Sequence, residues 1–369
     1  MATYSQPLAP AAARTRFAPS VRHLGPNWYA AVMGTSIVAT AGATLPHPVA
    51  RPVTVAVWAV AALALAVLVT ARALHWVHHR DQARAHLLDP NVAPFYGCLS
   101  MALLAVGGAT LVVGKDVIGE QAAIAVDAVL FTLGTLIGLA AAAAIPYLMV
   151  ARHKISLDMA TPVWLLPVVA PMVSAAQGPL LLPHLPLGQA QEAMLLGSYA
   201  MFGLSLLGAF LMLPLIFGRL VFHGPLPLVL TPTLFLVLGP LGQSTTAVNA
   251  LADVAPEAIG TRYAGAFASF AVVYGVPVMG FALLWLALAL ALVVRARRAG
   301  MKFAMTWWGF TFPVGTCVTG AAGLAKHTGL DAYTWLATAL YVFLVAAVLV
   351  AALNTLRGLF NGKLLAAPR

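Results

Sequence analysis

Apolar residues form about ten long runs in this chain, separated by short polar segments. Each run is long enough to cross a bilayer, which takes about 20 apolar residues. We place the spans at residues 26–44, 51–72, 93–113, 122–150, 160–181, 193–218, 227–249, 263–294, 305–325 and 333–355. The odd-numbered runs contain no charged or histidine side chain, and Asp127 in the fourth run is the one acidic side chain clearly within a span. The pattern predicts an all-α polytopic membrane protein.

Composition and charge support this interpretation. The chain is 62% hydrophobic and 8% charged, whereas soluble domains carry about 25% charged residues. Its net charge of +10 would suggest nucleic acid binding in a soluble protein, but here the charges follow the loops. With the N-terminus on the cytoplasmic side, 16 of the 20 Lys and Arg residues lie on that side. Because positive charge stays inside, we expect both termini in the cytoplasm, the inner (plasma) membrane as the location, and no nucleic acid partner.

The sequence divides into three segments. Residues 1–25 are polar and basic and lack the apolar core of a cleaved signal, so they predict a disordered cytoplasmic tail. Residues 26–356 predict a single transmembrane domain in contact with the lipid bilayer. Residues 357–369 predict a short cytoplasmic C-terminal tail.

Two kinds of span alternate along the domain. The even-numbered spans are runs of Ala, Leu and Val, which suit a lipid-facing position, whereas the odd-numbered spans are richer in Gly, Pro, Ser and Thr. This weak repeat predicts five hairpins, each contributing one inner helix to a ring around a narrow lumen. Alternatively, the small residues serve only close packing between helices.

Five segments carry a family resemblance: "NWYAAVMGTSIVA", "DPNVAPFYGCLSMALLAVGG", "WLLPVVAPMVSAAQGPLL", "PTLFLVLGPLGQSTTAV" and "WWGFTFPVGT". Together they resemble the tellurite-resistance/dicarboxylate transporter family, which includes plant slow-type anion channels, bacterial TehA proteins, malate permeases and sulfite pumps. The resemblance implies ten helices in five hairpins with quasi-fivefold symmetry around a central pore. It also implies a homotrimer with one pore per subunit, and a phenylalanine that plugs each pore.

Phe312 is the matching phenylalanine. It precedes Pro313, whereas Gly239 and Ala170 precede the corresponding prolines of spans 7 and 5. One benzyl group over an otherwise small-residue lumen suits an occluding gate, and a hydrophobic constriction blocks ions by dewetting. The pattern alone favours an ordinary packed aromatic, whereas the resemblance favours the gate.

The predicted lumen has no fixed charge, so hydroxyl, amide and backbone N–H groups are its expected anion ligands. The candidate pore-lining or kink residues are Gly34, Thr35, Ser36, Gly97, Ser100, Pro167, Ala170, Pro171, Ser174, Gly239, Pro240, Gln243, Ser244, Thr245, Pro313 and Thr316. Lys326 and His327 are expected at the outer mouth.

Other reactive residues predict no catalytic site, cofactor or metal. Cys98 and Cys317 have no intramembrane His or acid on the inner helices to activate them. The run from His75 to His86 allows metal binding, but an interfacial loop with titratable side chains is favoured. For Asp127, a structural role at an intersubunit contact or a water pocket is favoured over proton coupling.

The sequence therefore predicts a passive or weakly coupled anion channel or transporter. Expected substrates are small inorganic or carboxylate anions: chloride, nitrate, sulfite or four-carbon dicarboxylates. A proton-coupled dicarboxylate (malate) carrier or a sulfite or tellurite-resistance exporter is the alternative, and an intramembrane enzyme is a remote one.

Overall fold

The computed structural model describes residues 21–362, 364 and 365, with backbone only at 261 and 262. Within these residues the chain is helical and contains no strand. The α-helices are α1 Tyr29–Thr44, α2 Arg51–His78, α3 Arg80–Leu88, α4 Gly97–Ala109, α5 Lys115–Ile118, α6 Glu120–Ala151, α7 Leu165–Leu181, α8 Gln189–His223, α9 Leu238–Ile259, α10 Thr261–Arg298, α11 Phe312–Thr328 and α12 Asp331–Phe360. A π-helical segment, Thr110–Gly114, joins α4 to α5.

Each of the ten predicted spans contains one long helix. In the part of the chain that the structure describes, eight helical segments are long and apolar enough to cross a membrane, which confirms a polytopic helical membrane protein. The other two spans hold α1 and α11, with 16 and 17 residues. The short helix α3 lies in the segment predicted as a loop between spans 2 and 3.

The two kinds of helix differ sharply in burial, as the alternation predicts. In α2, α6, α8, α10 and α12, only 22–28% of the most apolar window is buried within the subunit. In the segments that contain α4, α7 and α9, the buried share is 83–94%. We call α1, α4, α7, α9 and α11 the inner helices and the other five long helices the outer helices.

Contacts between the inner helices close into a ring, in the order α1, α4, α7, α9, α11 and back to α1. Each inner helix also packs against the outer helix that follows it in the chain. Small residues permit the close approach within the ring. At Gly242 of α9, for example, a β-carbon would lie 2.5 Å from the backbone nitrogen of Cys317 on α11.

A local repeat marks the start of every inner helix. A 3₁₀ segment precedes each one: Pro26–Trp28, Ala93–Tyr96, Pro162–Trp164, Thr231–Val237 and Met305–Phe310. Pro167, Pro240 and Pro313 therefore fall in the first turn of their α-helices, where the missing N–H has no intrahelical partner to lose. Of the four prolines predicted to kink the inner helices, Pro171 is the one that lies inside its helix, as Pro179 of α7 and Pro256 of α9 also do.

Proline does not separate inner from outer helices as cleanly as the sequence suggested. Pro146, Pro214 and Pro277 lie inside the outer helices α6, α8 and α10. What distinguishes the inner helices is their burial and their 3₁₀ starts.

Both ends of the domain differ from their predicted boundaries. Residues 1–20 of the predicted tail lie outside the described residues, but Val21 and Leu24 pack against α2. The His75 ring nitrogen Nδ1 lies 2.8 Å from the Val21 carbonyl oxygen, and the buried Arg72 guanidinium donates to the Leu24 carbonyl oxygen over 2.5 Å. At the other end, α12 continues to Phe360, beyond the predicted start of the C-terminal tail.

Candidate pore between the inner helices

A small cavity, which we call the lower cavity, lies at the N-terminal ends of the inner helices. Its volume is about 20 Å³, roughly the space for one water molecule. All five inner segments line it, through Met33, Cys98, Leu166, Leu236 and Phe312 among others. The inner segments therefore leave little open space at this level, and we call this mostly apolar region the constriction.

Phe312 sits at this constriction because of the backbone turn that starts α11. Thr311 leaves helical geometry, with φ −98° and ψ −82°, and Phe312 is the first residue of the helix. The Thr311 hydroxyl donates to the Trp308 carbonyl oxygen over 2.6 Å, which fixes the turn. The Phe312 side chain is 4% exposed and lines the lower cavity together with Pro313.

Phe310, two residues earlier, occupies a different environment. Its ring packs edge-on against Phe235, with ring centroids 4.8 Å apart and planes at 85°, and also contacts Trp307. It is not among the residues that line the lower cavity. The two phenylalanines thus provide a matched pair, one at the constriction and one in an aromatic cluster.

A second, larger space, the upper cavity, lies toward the C-terminal ends of the inner helices. Its volume is about 590 Å³, and all five inner segments contribute to it, through Thr40, Val112, Gln177, Gln243 and Thr319 among others. No described residue lines both cavities. The ring therefore holds two separate spaces, with Phe312 on the lower one.

Charged residues gather at the rim of the upper cavity. Asp253 on α9 pairs with Lys326 on α11, with Nζ and Oδ1 2.7 Å apart. The His327 ring lies between Asn249 and Asp253, with Nδ1 2.5 Å from Asn249 Oδ1 and Nε2 3.0 Å from Asp253 Oδ1. Lys326 lines the cavity, and His327 contacts two residues that do.

The position of Asp253 corrects the predicted end of span 7. Helix α9 continues to Ile259, so this inner helix does carry acidic side chains, Asp253 at the rim of the cavity and Glu257 one turn later. Asn249 and Asp253 were not among the predicted site residues. Their spacing of four along a helix, opposite the Lys326–His327 pair, is the sequence signal that could have found them.

The predicted lumen hydroxyls mostly bond to the protein itself. A hydroxyl has a single proton to donate, and six of these side chains donate it to backbone carbonyl oxygens. The pairs are Thr35 to Ala31, Ser36 to Ala105, Ser100 to Gly134, Ser244 to Leu241, Thr245 to Leu241 and Thr316 to Pro313. These hydroxyl protons are therefore not available to an anion in this arrangement.

Several other predicted lining residues lie at helix–helix contacts. A β-carbon at Gly34 would lie 2.1 Å from the Thr311 hydroxyl oxygen, and one at Gly97 would lie 2.5 Å from the Leu166 carbonyl oxygen. Ser174 faces α6, where it accepts a hydrogen bond from Thr135 over 2.9 Å. Ala170 also faces α6, next to Gly138.

Gly239 differs from these glycines because a β-carbon there would meet no atom within 4 Å. Gly239 precedes Pro240 as Phe312 precedes Pro313, so open space at one position corresponds to a ring at the other. The remaining predicted proline, Pro167, is buried and lies next to Gly97.

Comparison with known families identifies this arrangement. The model of the voltage-dependent anion channel (SLAC1) family matches residues 23–356, nearly the whole described chain. The chain belongs to this family. The resemblance noted in the sequence is confirmed, and the protein is a multi-pass membrane protein of an anion channel and transporter family.

The chain is also similar to several proteins named as transporters. It is 25% identical over 346 residues to an uncharacterized transporter of Methanocaldococcus jannaschii, and the alignment covers 93% of this chain and 95% of the relative. It is 24% identical over 347 residues to a second uncharacterized transporter of that organism, covering 93% and 97%. It is 26% identical over 316 residues to the sulfite efflux pump of Trichophyton rubrum, covering 84% of this chain and 83% of the pump.

For Asp127 the sequence favoured a structural role, at an intersubunit contact or a water pocket. The residue is 1% exposed within a single subunit of this channel-family chain, so its side chain is covered by its own helices. It faces α4 at Gly107. Within the described residues, neither carboxyl oxygen has a hydrogen-bond partner.

The histidine-rich segment of the channel domain is helical and packed. His75 is fully buried, and its ring stacks on that of His86 with centroids 5.4 Å apart and planes at 5°. Burial is the main cause that lowers the pKa of His86 below its usual value, and the nearby Arg72 and His75 add to it. Across residues 21–362, no group of three or more His, Cys, Asp or Glu side chains is placed to hold a metal ion.

Proposed function

We propose that the protein conducts small anions through the ring of inner helices, and that Phe312 closes the path. The observation that carries this proposal is the pair of cavities, both lined by all five inner segments and sharing no described residue, with Phe312 on the smaller one. An apolar ring in a space for one water molecule would keep ions out by dewetting. Membership of an anion channel family supports the same function.

Sulfite is the substrate that the relatives favour, because three of them are named sulfite efflux pumps. Chloride, nitrate and four-carbon dicarboxylates are the other candidates. A proton-coupled carrier would need a protonatable group in the path. Asp253 is the acidic residue on the described cavity walls, and it is held by Lys326 at the rim, so we favour the passive channel.

The orientation follows from charge. With 16 of 20 Lys and Arg residues on the side of the termini, the lower cavity faces the cytoplasm and the upper cavity faces outward. Labelling of single cysteines placed at Lys115 and Arg297 tests this, because only the first should react from outside in intact cells. Equal labelling of both would contradict the orientation.

The outer helices expose large apolar side chains, including Leu63, Leu207 and Val273, which suit lipid or a neighbouring subunit. By family resemblance we expect a homotrimer with one pore in each subunit. Mixing wild-type subunits with blocked ones should then reduce flux in proportion to the blocked fraction. Complete block by one inactive subunit per assembly would indicate a shared pore.

Reconstitution in liposomes tests the gate. Flux of chloride, nitrate, sulfite and malate is measured for the wild type, Phe312→Ala and Phe312→Leu. We expect Phe312→Ala to raise anion flux sharply and Phe312→Leu to be intermediate, because leucine fills less of the constriction than phenylalanine.

Phe310→Ala is the control, since Phe310 packs against Phe235 and not on the constriction. Truncation of an ordinary buried phenylalanine costs about 3–5 kcal/mol of stability, so this variant should yield less folded protein and no added flux. Equal activation by both substitutions, or by neither, would remove Phe312 from the gating role.

A further inference from the structure

The upper cavity contains two side-chain amides whose N–H groups have no acceptor among the described residues. Gln177 on α7 and Gln243 on α9 both line this cavity and are 8% and 2% exposed. In each, the amide oxygen is shielded from solvent and has no hydrogen-bond partner in the described part of the chain. The amide nitrogens are not shielded in this way. Each glutamine therefore turns its oxygen into the wall and its nitrogen toward the cavity.

Gly108 fixes this orientation for Gln177. A β-carbon on residue 108 would lie 2.0 Å from Gln177 Oε1 but 3.3 Å from Nε2. The oxygen thus rests on the backbone of α4, where the glycine Cα–H groups are weak hydrogen-bond donors. An N–H₂ group in that place would meet donors rather than acceptors, so the oxygen belongs against Gly108.

The Thr246 hydroxyl on the same cavity differs from the two amides, because it already has hydrogen-bond partners. Thr246 donates within the α9–α11 contact, where its oxygen lies 2.7 Å from that of Thr319 and 3.1 Å from the Thr316 carbonyl oxygen. The Thr246 hydroxyl, which also lines the cavity, is therefore engaged with its neighbours. The amides keep their protons for a ligand.

We propose that Gln177 and Gln243 bind a monovalent anion in the upper cavity by directing their amide N–H₂ groups at it. This site rests on the proposed anion-conducting function and names the step at which the ion exchanges water for protein donors. Two neutral donors give a weak site, and conduction requires a site that an ion can leave.

The residues that line the upper cavity favour an ion with a single negative charge. The cost of removing an ion from water rises steeply with its charge, and only a strong cation offsets it. The cation that lines this cavity, Lys326, is held by Asp253 at the rim. Chloride, nitrate and hydrogensulfite fit such a site, whereas dianions such as sulfate do not.

Binding can be measured without flux, by the broadening of the chloride NMR signal on addition of the detergent-solubilised full-length protein. We expect Gln177→Leu and Gln243→Leu each to weaken chloride binding by about tenfold, because a hydrogen bond to an ion is worth more than one between neutral groups. Both variants should keep their thermal stability, since leucine also removes an amide oxygen that has no partner. Gln243→Glu keeps the shape, replaces the donors by oxygen and should likewise lose binding.

Gln191→Leu is the matched control. The Gln191 amide nitrogen lies 3.3 Å from the carbonyl oxygens of both Leu182 and Leu185, away from the upper cavity. We expect this variant to be less stable and to bind chloride as the wild type does. Wild-type chloride affinity in Gln177→Leu and Gln243→Leu, or an equal loss in Gln191→Leu, would overturn the site.

The outcomes separate this inference from the gate. If Phe312→Ala fails to raise flux while the glutamine variants lose chloride binding, the gate is wrong and the site stands. If Phe312→Ala raises flux while the glutamine variants bind normally, the site is wrong and the gate stands. In competition, nitrate should displace chloride and sulfate should not. Stronger displacement by sulfate would refute the preference for one charge.

Discussion

The carboxyl group of Asp127 on α6 packs directly against the backbone of Gly107 on α4. A β-carbon on residue 107 would lie 2.5 Å from Asp127 Oδ1 and 3.1 Å from the β-carbon of Leu130. An acidic side chain thus lies in the contact between an inner and an outer helix, one turn before the π-helical segment that ends α4.

We expect Gly107→Ala to destabilise the protein by forcing α4 and α6 apart. The added methyl group cannot fit unless the buried carboxyl moves, and overpacking of this kind costs about 1–3 kcal/mol. Thermal unfolding in detergent measures the effect. Gly203→Ala is the control, because a methyl group added at residue 203 on α8 would have no atom within 4 Å, and alanine there should stabilise the helix slightly. Equal melting temperatures for the two variants would contradict this view of the Asp127 contact.

The alternation of inner and outer helices could be predicted from the sequence, because lipid exposure imposes a long apolar run and close packing imposes small residues. The hydrogen-bond partners of the serine and threonine hydroxyls could not be predicted in this way. A serine in a buried helix can face a lumen or a neighbouring carbonyl with the same sequence pattern, as Ser36 and Ser100 demonstrate by donating to α4 and α6. The contact of Asp127 with Gly107 depends on helix rotation, which no periodicity fixes at this precision.

The ends of the helices also could not be predicted from the sequence. Polar residues at the C-terminal end of α9 are typical of a loop, yet the helix continues through Asp253 to Ile259 because Asn249 and Asp253 bond with α11. The histidine-rich segment was predicted as a loop for the same reason. Stacking of His75 on His86 joins α2 to α3, and this tertiary contact outweighs local polarity.

Gly108→Ala should displace the Gln177 side chain from its place in the upper cavity. The new methyl group would lie 2.0 Å from the amide oxygen, and the glutamine can yield only by swinging toward the cavity. We expect weaker chloride binding than in the wild type, although both amides are still present. Broadening of the chloride NMR signal measures it, with Gly203→Ala again as the control. Unchanged binding would mean that Gly108 does not position the amide.

Acid should destabilise the fold through His86. Its pKa in the folded protein lies below the usual value of about 6.5, so the unfolded chain binds more protons than the folded one as the pH falls through this range. The neutral, buried His86 ring therefore contributes to the free energy of unfolding above about pH 6.5. That contribution is lost as the pH falls through the pKa that His86 has in the folded protein. The charged and titratable groups that act on it are Arg72, His75, Asp89 and His23.

We therefore expect His86→Gln to reduce the fall in melting temperature between neutral and mildly acidic pH. Glutamine keeps a polar group beside Gln82, whose amide nitrogen lies 3.2 Å from His86 Nε2, and removes the titration. His78→Gln is the control, because His78 is exposed. Identical acid sensitivity in the wild type and His86→Gln would show that another group carries the effect.

At the rim of the upper cavity, Asp253→Asn should raise anion flux at low ionic strength. Asp253 neutralises Lys326, 2.7 Å away, and asparagine would leave that positive charge free to concentrate anions at the mouth. The Debye length is about 10 Å at 0.1 M salt and about 3 Å at 1 M, so the gain should shrink as salt is added.

The effect is measured as anion flux through reconstituted protein. The double variant Phe312→Ala, Asp253→Asn is compared with Phe312→Ala alone, so that both pores are open. Asp331→Asn makes the same change of charge at the start of α12, at a residue that does not line the cavity, and should have little effect. A gain of equal size in Asp331→Asn would assign the effect to the overall charge of this face. A loss of flux in Asp253→Asn would instead mean that the carboxylate holds Lys326 and His327 in the geometry that anions need.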